Sequence, residues 1–459
     1  MNKVVSVSLL FLLSSVATCW SLSIPHEREV FSVAPMMGHT NRHYHTFFRL
    51  LSQRAHLYTE MMPASQIVNL HESDPDKLEE LLRINKDAHP LILQLGGRDA
   101  DALGRAAAIG AEFGYDGVNL NCGCPSDAVS GRCGGASLMR DPSHVALIVE
   151  RMSTALEQYP NVELSIKHRL GVAEASEYDA IYDREQDDSE VYESCLKFVR
   201  ATTFNGSVKK LHVHGRLALL GDFEPAERQS PSSLWVPGEE LKNEQKIDHK
   251  RVQYQAKRRS RLATIKNRSV PPLRPNVVNQ LASAIPEIEF VTNGGIQTIE
   301  NIHDRLDTPM PNVVGAMIGR AAINHPCSFA MADTLWGKEL TEVPTRGQVL
   351  EIFADYCANE EERLKSLGRP PSFMDALRRR LVSVPFTLFA GEEGNDIFQR
   401  RIRKLISRPD RHSARSVLLA AMAEVPTETL QRPVSEYNLE IKSYSAYNQR
   451  SGPLQRSIL

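Results

Sequence analysis

The chain has 459 residues, more than one ordinary hydrophobic core organises, which implies two or three folded units. An apolar fraction of 42% with 24% charged residues excludes a chain that is disordered throughout, and seven thinly spread cysteines, an odd number, exclude a disulfide framework. The net charge of -2 conceals local asymmetry: Lys246 to Arg268 carries nine basic residues against one acid, and Arg400, Arg401, Arg403, Lys404 and Arg408 form a second basic cluster. Two such clusters on a nearly neutral protein point to a polyanionic partner.

Residues 1–23 open with Lys3 and an apolar run from Val4 to Val16, followed by small and polar residues. This is the charge, core and cleavage pattern of a targeting segment and is too short for a membrane span. The expected destination is an organelle, plastid or mitochondrion, with no stable membrane association once the segment is gone. If the segment is not functional, the protein stays in the cytoplasm.

From there, eight short runs rich in strand-forming residues alternate with helical patterns. They are Phe31 to Pro35, Leu57 to Met61, Leu91 to Gly96, Gly117 to Cys122, Val162 to Arg169, Lys209 to Gly215, Ile288 to Gly295 and Val313 to Arg320. Between them, stretches such as Ala100 to Phe113 and Val145 to Leu156 repeat apolar residues at three and four. Alternation of this kind predicts an α/β fold, a closed parallel (β/α)₈ TIM barrel over residues 28–341. A charged segment over 222–265 reads as an insertion in the sixth unit. After Glu342 the strand signals cease, and apolar faces such as Val349, Leu350 and Phe353 predict a smaller all-helical domain over 342–424. Residues 425–459 read as a polar tail.

In a (β/α)₈ barrel the chemistry lies at the C-terminal ends of the strands. Gln94, Asn121, Cys124, Lys167, Arg169, His214, Asn293 and Arg320 all fall there. The run Asn119-Leu-Asn-Cys-Gly-Cys-Pro-Ser126 is a strand stopped by Gly123 and Pro125, which places Cys124 at a strand mouth. Zinc is not expected, since no further cysteine or histidine pair has ligand spacing. Asn293-Gly294-Gly295 after the seventh strand and Gly319-Arg320 after the eighth match the two loops that commonly cradle a phosphate in such barrels. Lys167, in Ser165-Ile-Lys-His-Arg169, is expected to bring an ammonium to the site, a group suited to stabilising negative charge on a reduced isoalloxazine. Gln94 suits the edge of a pyrimidine-like ring, His214 closes the sixth strand beside it, and Ala34-Pro35-Met36 offers backbone groups. His212, two residues before His214 and one layer deeper, reads as a core histidine.

These motifs, with Leu57-Tyr-Thr-Glu-Met61, Leu93-Gln-Leu-Gly-Gly97, His214 with Arg216, Lys266-Asn267-Arg268 and Pro271-Pro-Leu273, resemble the tRNA-dihydrouridine synthases, specifically the bacterial A-type branch acting at positions 20 and 20a. The resemblance spans Phe31 to Ala423 and implies FMN as cofactor, NADPH as reductant, tRNA as partner and a monomeric enzyme. It implies that Cys124 donates a proton and Asn121 holds the target uracil. FMN falls to Gln94, Lys167, His214, Asn293 to Gly295 and Gly319 to Arg320. Arg169, Arg216, Lys266, Asn267, Arg268, Arg378, Arg400 and Arg401 then become candidate tRNA contacts, with Arg379 and Arg380 beside them. Two departures stand out: the extra thiol at Cys122, and the segment 222–265 ahead of the Asn-Arg and Pro-Pro-Leu residues. A thiol with an ordinary pKa near ~8.5 is mostly protonated at neutral pH and so suits the role of acid. Two other barrel chemistries fit fewer of these residues: a flavin dehydrogenase of a free pyrimidine, and a flavin-free isomerase or aldolase in which Lys167 acts on a phosphorylated substrate.

Overall fold

The computed structural model describes residues 28–126, 134–174, 188–221, 271–337 and 342–437. The expected targeting segment over 1–23, the whole charged segment over 222–265 and Lys266, Asn267 and Arg268 lie outside these residues.

Eight parallel strands form a ring: β1 (Phe31–Val33), β2 (His56–Tyr58), β3 (Leu91–Gly96), β4 (Gly117–Cys122), β5 (Glu163–Arg169), β6 (Lys210–His214), β7 (Glu289–Asn293) and β8 (Val313–Ile318). Pairing runs in sequence order around the ring, and β1 closes on β8, Phe31 facing Ala316. The two-residue strand Met62–Pro63 adds to β3, and Val172–Glu174 pairs with Ala218–Leu220 outside the ring.

Strand side chains alternate faces, so each strand divides its residues between two environments. Along β4, Val118, Leu120 and Cys122 join the apolar layer shared with the surrounding helices, while Asn119 and Asn121 are left to the interior. The same split puts Ser165, Lys167 and Arg169 of β5 and Lys210, His212 and His214 of β6 inside. Ala34, Tyr58, Ile92, Val291, Val314 and Met317 form a small separate apolar cluster. The barrel interior is therefore polar along one side, which is where the chemistry is possible.

The surrounding helices are α1 (Arg42–Arg49), α2 (Ala64–Ser73), α3 (Pro75–Leu82), α4 (Ala100–Glu112), α5 (Pro142–Leu156), α6 (Ser189–Thr203), α7 (Pro275–Ala284), α8 (Ile299–Leu306) and the short α9 (Arg320–Asn324). Several begin at side-chain caps that satisfy the open N–H groups of the first turn: Asn41 for α1, Asp99 for α4, Asp141 for α5 and Thr298 for α8.

A helical unit follows: α10 (Arg346–Ser366), α11 (Pro371–Ser383), α12 (Asn395–Ile406), α13 (Ala414–Met422) and α14 (Thr427–Gln431). Thr345 and Gln348 form a capping box at the start of α10. An ion-pair network fastens this unit to the barrel: Arg42 pairs with Glu80 at 2.7 Å and also with Glu360, and Arg363 reaches both carboxylates at 2.9 Å. Phe47 meets Phe353 edge-on at 5.5 Å between ring centres.

The boundary at 424 expected from sequence is too early. Residues beyond it form α14, Val434 is buried, and Pro433 bridges to Thr345. The cause is Arg346, a fully buried guanidinium that needs acceptors on all sides. It takes the Pro433 carbonyl at 2.6 Å, the Glu436 carbonyl, and Glu392 at 2.9 Å. The supposed tail therefore packs as far as Tyr437.

Candidate functional site

At the C-terminal end of the ring, β4 runs into the turn Gly123-Cys124-Pro125. The Asn121 side-chain oxygen accepts the N–H groups of Gly123 at 3.0 Å and Cys124 at 3.1 Å, which winds the chain into its turn. Two further bonds hold it: Ala136 donates to the Cys124 carbonyl at 2.8 Å, and Arg169 Nε to the Gly123 carbonyl at 3.3 Å. The Cys124 thiol is half-buried at the mouth of the ring. Cys122 is fully buried on the helix side, and burial pushes its thiol far above the ordinary range. Iodoacetamide applied to the native protein should therefore modify Cys124 and spare Cys122, as read by peptide mass mapping. Equal labelling of both would contradict this placement.

The two neighbouring strands complete the cluster. Gln94 Nε2 donates to Asn119 Oδ1 at 2.8 Å, and Asn121 Nδ2 donates to Gln94 Oε1 at 3.1 Å. Each carboxamide nitrogen carries two hydrogens, so Gln94 and Asn121 each keep one for a ligand. On the next strand, Lys167 Nζ has the Asn293 side-chain oxygen at 3.3 Å. Burial, reinforced by the Arg169 guanidinium and opposed by Cys124, lowers the ammonium to about 7. An ammonium in such surroundings with one neutral acceptor is suited to a ligand bearing negative charge or carbonyl oxygens. His214 is held well below its ordinary range by burial and by the cations of Arg169, Lys167, Arg216 and Arg320, so its ring is neutral and able to donate or accept one hydrogen bond.

Gly294 has φ of 114°, and a Cβ there would lie 2.9 Å from both His214 and Leu273. Only glycine fits. Among the described residues the N–H groups of Gly294, Gly295 and Gly319 donate to no protein acceptor. Gly319 lies against Met36 and Ala34, so the segments after β1 and β8 meet. Backbone N–H groups with no acceptor among the described residues, near a histidine that faces four cations, are the kind of surroundings that could hold an anionic group.

Not every residue marked in the sequence faces the mouth freely. Arg169 is buried and bonds the Gly123 and Leu217 carbonyls, which braces the cysteine turn. Arg378 holds Glu361 at 2.7 Å, Asp375 at 3.3 Å and the Pro409 carbonyl at 2.9 Å. Its charge serves the packing of α10 on α11. Arg401 pairs with Glu424 at 3.1 Å, Arg216 donates to the Pro271 carbonyl, and Arg400 is exposed. His212 is fully buried, with its Nε2 2.7 Å from the Tyr58 hydroxyl and 2.9 Å from Glu29.

Sequence reading missed Asn119, Glu60 and Glu29. Asn119 stands two residues before Asn121 and shares its face, a signal that was available. Glu60 accepts from the Gly38 N–H and so fixes the loop after β1, and burial raises its carboxyl.

Residues 32–382 match the sequence profile of the family described as dihydrouridine synthase. Among curated proteins, the chain is 32% identical over 371 residues to a tRNA-dihydrouridine(20/20a) synthase of Synechocystis sp., covering 81% of this chain and 87% of the relative. Proteins of the same description from Pseudomonas syringae pv. tomato and Pseudomonas aeruginosa are 33% identical over 328 residues and 34% identical over 310 residues. Those alignments cover 72% and 67% of this chain, and 77% and 73% of the relatives.

Proposed function

The chain belongs to the dihydrouridine synthase family, and from that premise we propose that it reduces the C5=C6 bond of uridine at positions 20 and 20a of the tRNA D-loop, with FMN as cofactor and NADPH as its reductant. The observation that carries this reading is the Gly123-Cys124 turn, whose N–H groups Asn121 accepts at the mouth of the ring, in register with Lys167 on the adjacent strand.

Reduced FMN, when bound, supplies the hydride that adds to C6 of the uracil. Addition at C6 leaves negative charge delocalised over C5 and the C4 carbonyl, and Cys124 then delivers its proton to C5. The thiolate regains a proton from solvent before the next turnover. Asn121 offers its remaining amide hydrogen to the base. Gln94, Lys167 and His214 would hold the isoalloxazine, and the Lys167 ammonium would stabilise negative charge on the reduced ring. Ala34, Pro35 and Met36 line it, and Asn293, Gly294, Gly295, Gly319 and Arg320 take the phosphate. A base within folded tRNA must be everted to reach this mouth, which requires a grip on the surrounding backbone. Arg400 on α12 is the exposed candidate for that grip, with Arg401 and Arg216 beside their carboxylate and carbonyl partners.

A titration with FMN followed by visible absorption separates this reading from a flavin-free isomerase or aldolase. Lys167 adds a pH signature. Because its ordinary value of 10.5 falls to about 7 in the flavin-free protein, the folded chain holds fewer protons than the unfolded chain between those limits. Stability of the flavin-free protein therefore rises with pH across that window. FMN favours the charged ammonium, so its affinity falls by up to about tenfold per pH unit above neutrality. Lys167→Met should bind FMN more weakly and lose this slope. A protein that takes up no flavin overturns the reading, and an unchanged slope in the variant removes Lys167 from the flavin contact.

A further inference from the structure

The loop after β7 joins two cations. The strand ends at Asn293, which accepts from Lys167 Nζ at 3.3 Å and donates through Nδ2 to the Met317 carbonyl at 2.7 Å. Gly294 comes next and lies against His214, where a Cβ would stand 2.9 Å from the imidazole. Gly295 follows, with φ of 74°, and a Cβ built on it would meet Leu273 at 2.6 Å and Arg305 Nη2 at 3.8 Å. The loop therefore runs from the Lys167 ammonium at one end to the Arg305 guanidinium at the other.

Arg305 belongs to the last turn of α8 and is half-buried. A cation in that position ordinarily answers the open carbonyls of the helix end. Arg305 turns away from them: its side chain runs back along the helix to the loop that precedes it, the direction in which helical side chains lean. Among the described residues no hydrogen bond or ion pair reaches its guanidinium, and Asp304, its exposed neighbour in the chain, acts on it only through space. A desolvated guanidinium without an acceptor is a costly arrangement. Its five N–H donors are held beside Gly295, whose own N–H has no acceptor among the described residues. A Cβ stands about 2.5 Å from its own amide nitrogen, so the two nitrogens are at most about 6.5 Å apart, a gap that the oxygens of one phosphate bridge.

We propose that Arg305 binds the flavin phosphate together with the Gly295 amide, and supplies full positive charge from the β7 side as Arg320 does from the β8 side. The chemistry of the ligand agrees. A phosphate monoester carries about two negative charges near neutral pH, more than the partial charges of backbone amides offset. His214 does not make up the difference, because its ring is neutral. A guanidinium fork meets two phosphate oxygens at once. FMN carries this group at the end of its ribityl chain, remote from the isoalloxazine, and Arg305 stands at the end of the loop remote from Lys167.

The inference rests on the reading of the mouth as a flavin site, and a comparison of two flavins separates the two. Riboflavin has the same ring and ribityl chain and no phosphate. Flavin-free protein is titrated with each, followed by the quenching of flavin fluorescence. Arg305→Gln should weaken FMN about ten- to a hundredfold, the loss of charge-assisted bonds, and leave riboflavin within about twofold of the parent. Arg305→Lys keeps the charge and loses the fork, so it should show a smaller loss of the same kind, and it serves as the test if the glutamine variant does not fold. An equal loss for both flavins would make Arg305 a structural residue, and weaker tRNA binding at unchanged FMN affinity would assign the guanidinium to the RNA backbone. Either result overturns the inference, as does FMN affinity unchanged on its own. A parent protein that binds neither flavin would instead overturn the flavin reading.

Discussion

Cys124→Ala is expected to purify with its flavin and to form dihydrouridine about 100- to 10,000-fold more slowly than the parent, the range that a positioned general acid contributes. Flavin should be retained because the residues proposed to hold it, Lys167 with Asn293 and the amides of Gly294 and Gly295, lie on other strands. The turn should also persist, since Asn121 binds the backbone of residues 123 and 124 and Ala136 binds the carbonyl of residue 124. What the variant lacks is a proton on the face of the base opposite the hydride. A serine there is a much weaker acid and should not restore the rate. The measurement is single-turnover formation of dihydrouridine by the pre-reduced enzyme. A parental rate in Cys124→Ala would remove the thiol from the reaction.

The largest effect on stability is expected at Glu392. Arg346 is fully buried, its carboxylate partner is Glu392, and Arg432 shares the same carboxylate at 2.6 Å. Glu392→Ala leaves a buried guanidinium facing only carbonyl oxygens, a change that costs about 3–5 kcal/mol. Denaturant unfolding followed by circular dichroism reads the loss. Replacing Arg346 and Glu392 together with apolar residues of similar volume should recover a large part of it, because the buried guanidinium is then gone and only the partly exposed Arg432 loses its carboxylate. A single substitution within about 0.5 kcal/mol of the parent would show that the pair does not hold the helical unit together.

The alternation of β-branched runs and helical periods locates all eight barrel strands, because strands buried on both faces are marked by composition and their limits by glycine and proline. Gly117 to Cys122 and Leu91 to Gly96 coincide with β4 and β3. The mouth residues are legible for the same reason: a polar side chain at the last position of an apolar run has few places to go. What the sequence conceals is pairing between distant residues. Nothing local marks Arg378 as a partner of Glu361, so it reads as a free cation. Arg346 stands at the polar start of a helix and gives no sign that it is buried or that it recruits Pro433 and Glu436. Glu29 lies in a charged stretch ahead of the first strand, and only the closed ring brings it under Tyr58 and His212.

The most direct test of the central claim is to supply the recombinant enzyme, FMN and NADPH with a tRNA transcript lacking modified bases and to map reduced uridines by mass spectrometry. The expected result is dihydrouridine at positions 20 and 20a and at no other uridine. A yellow, NADPH-reducible protein that leaves the transcript unchanged while reducing a free pyrimidine would contradict it.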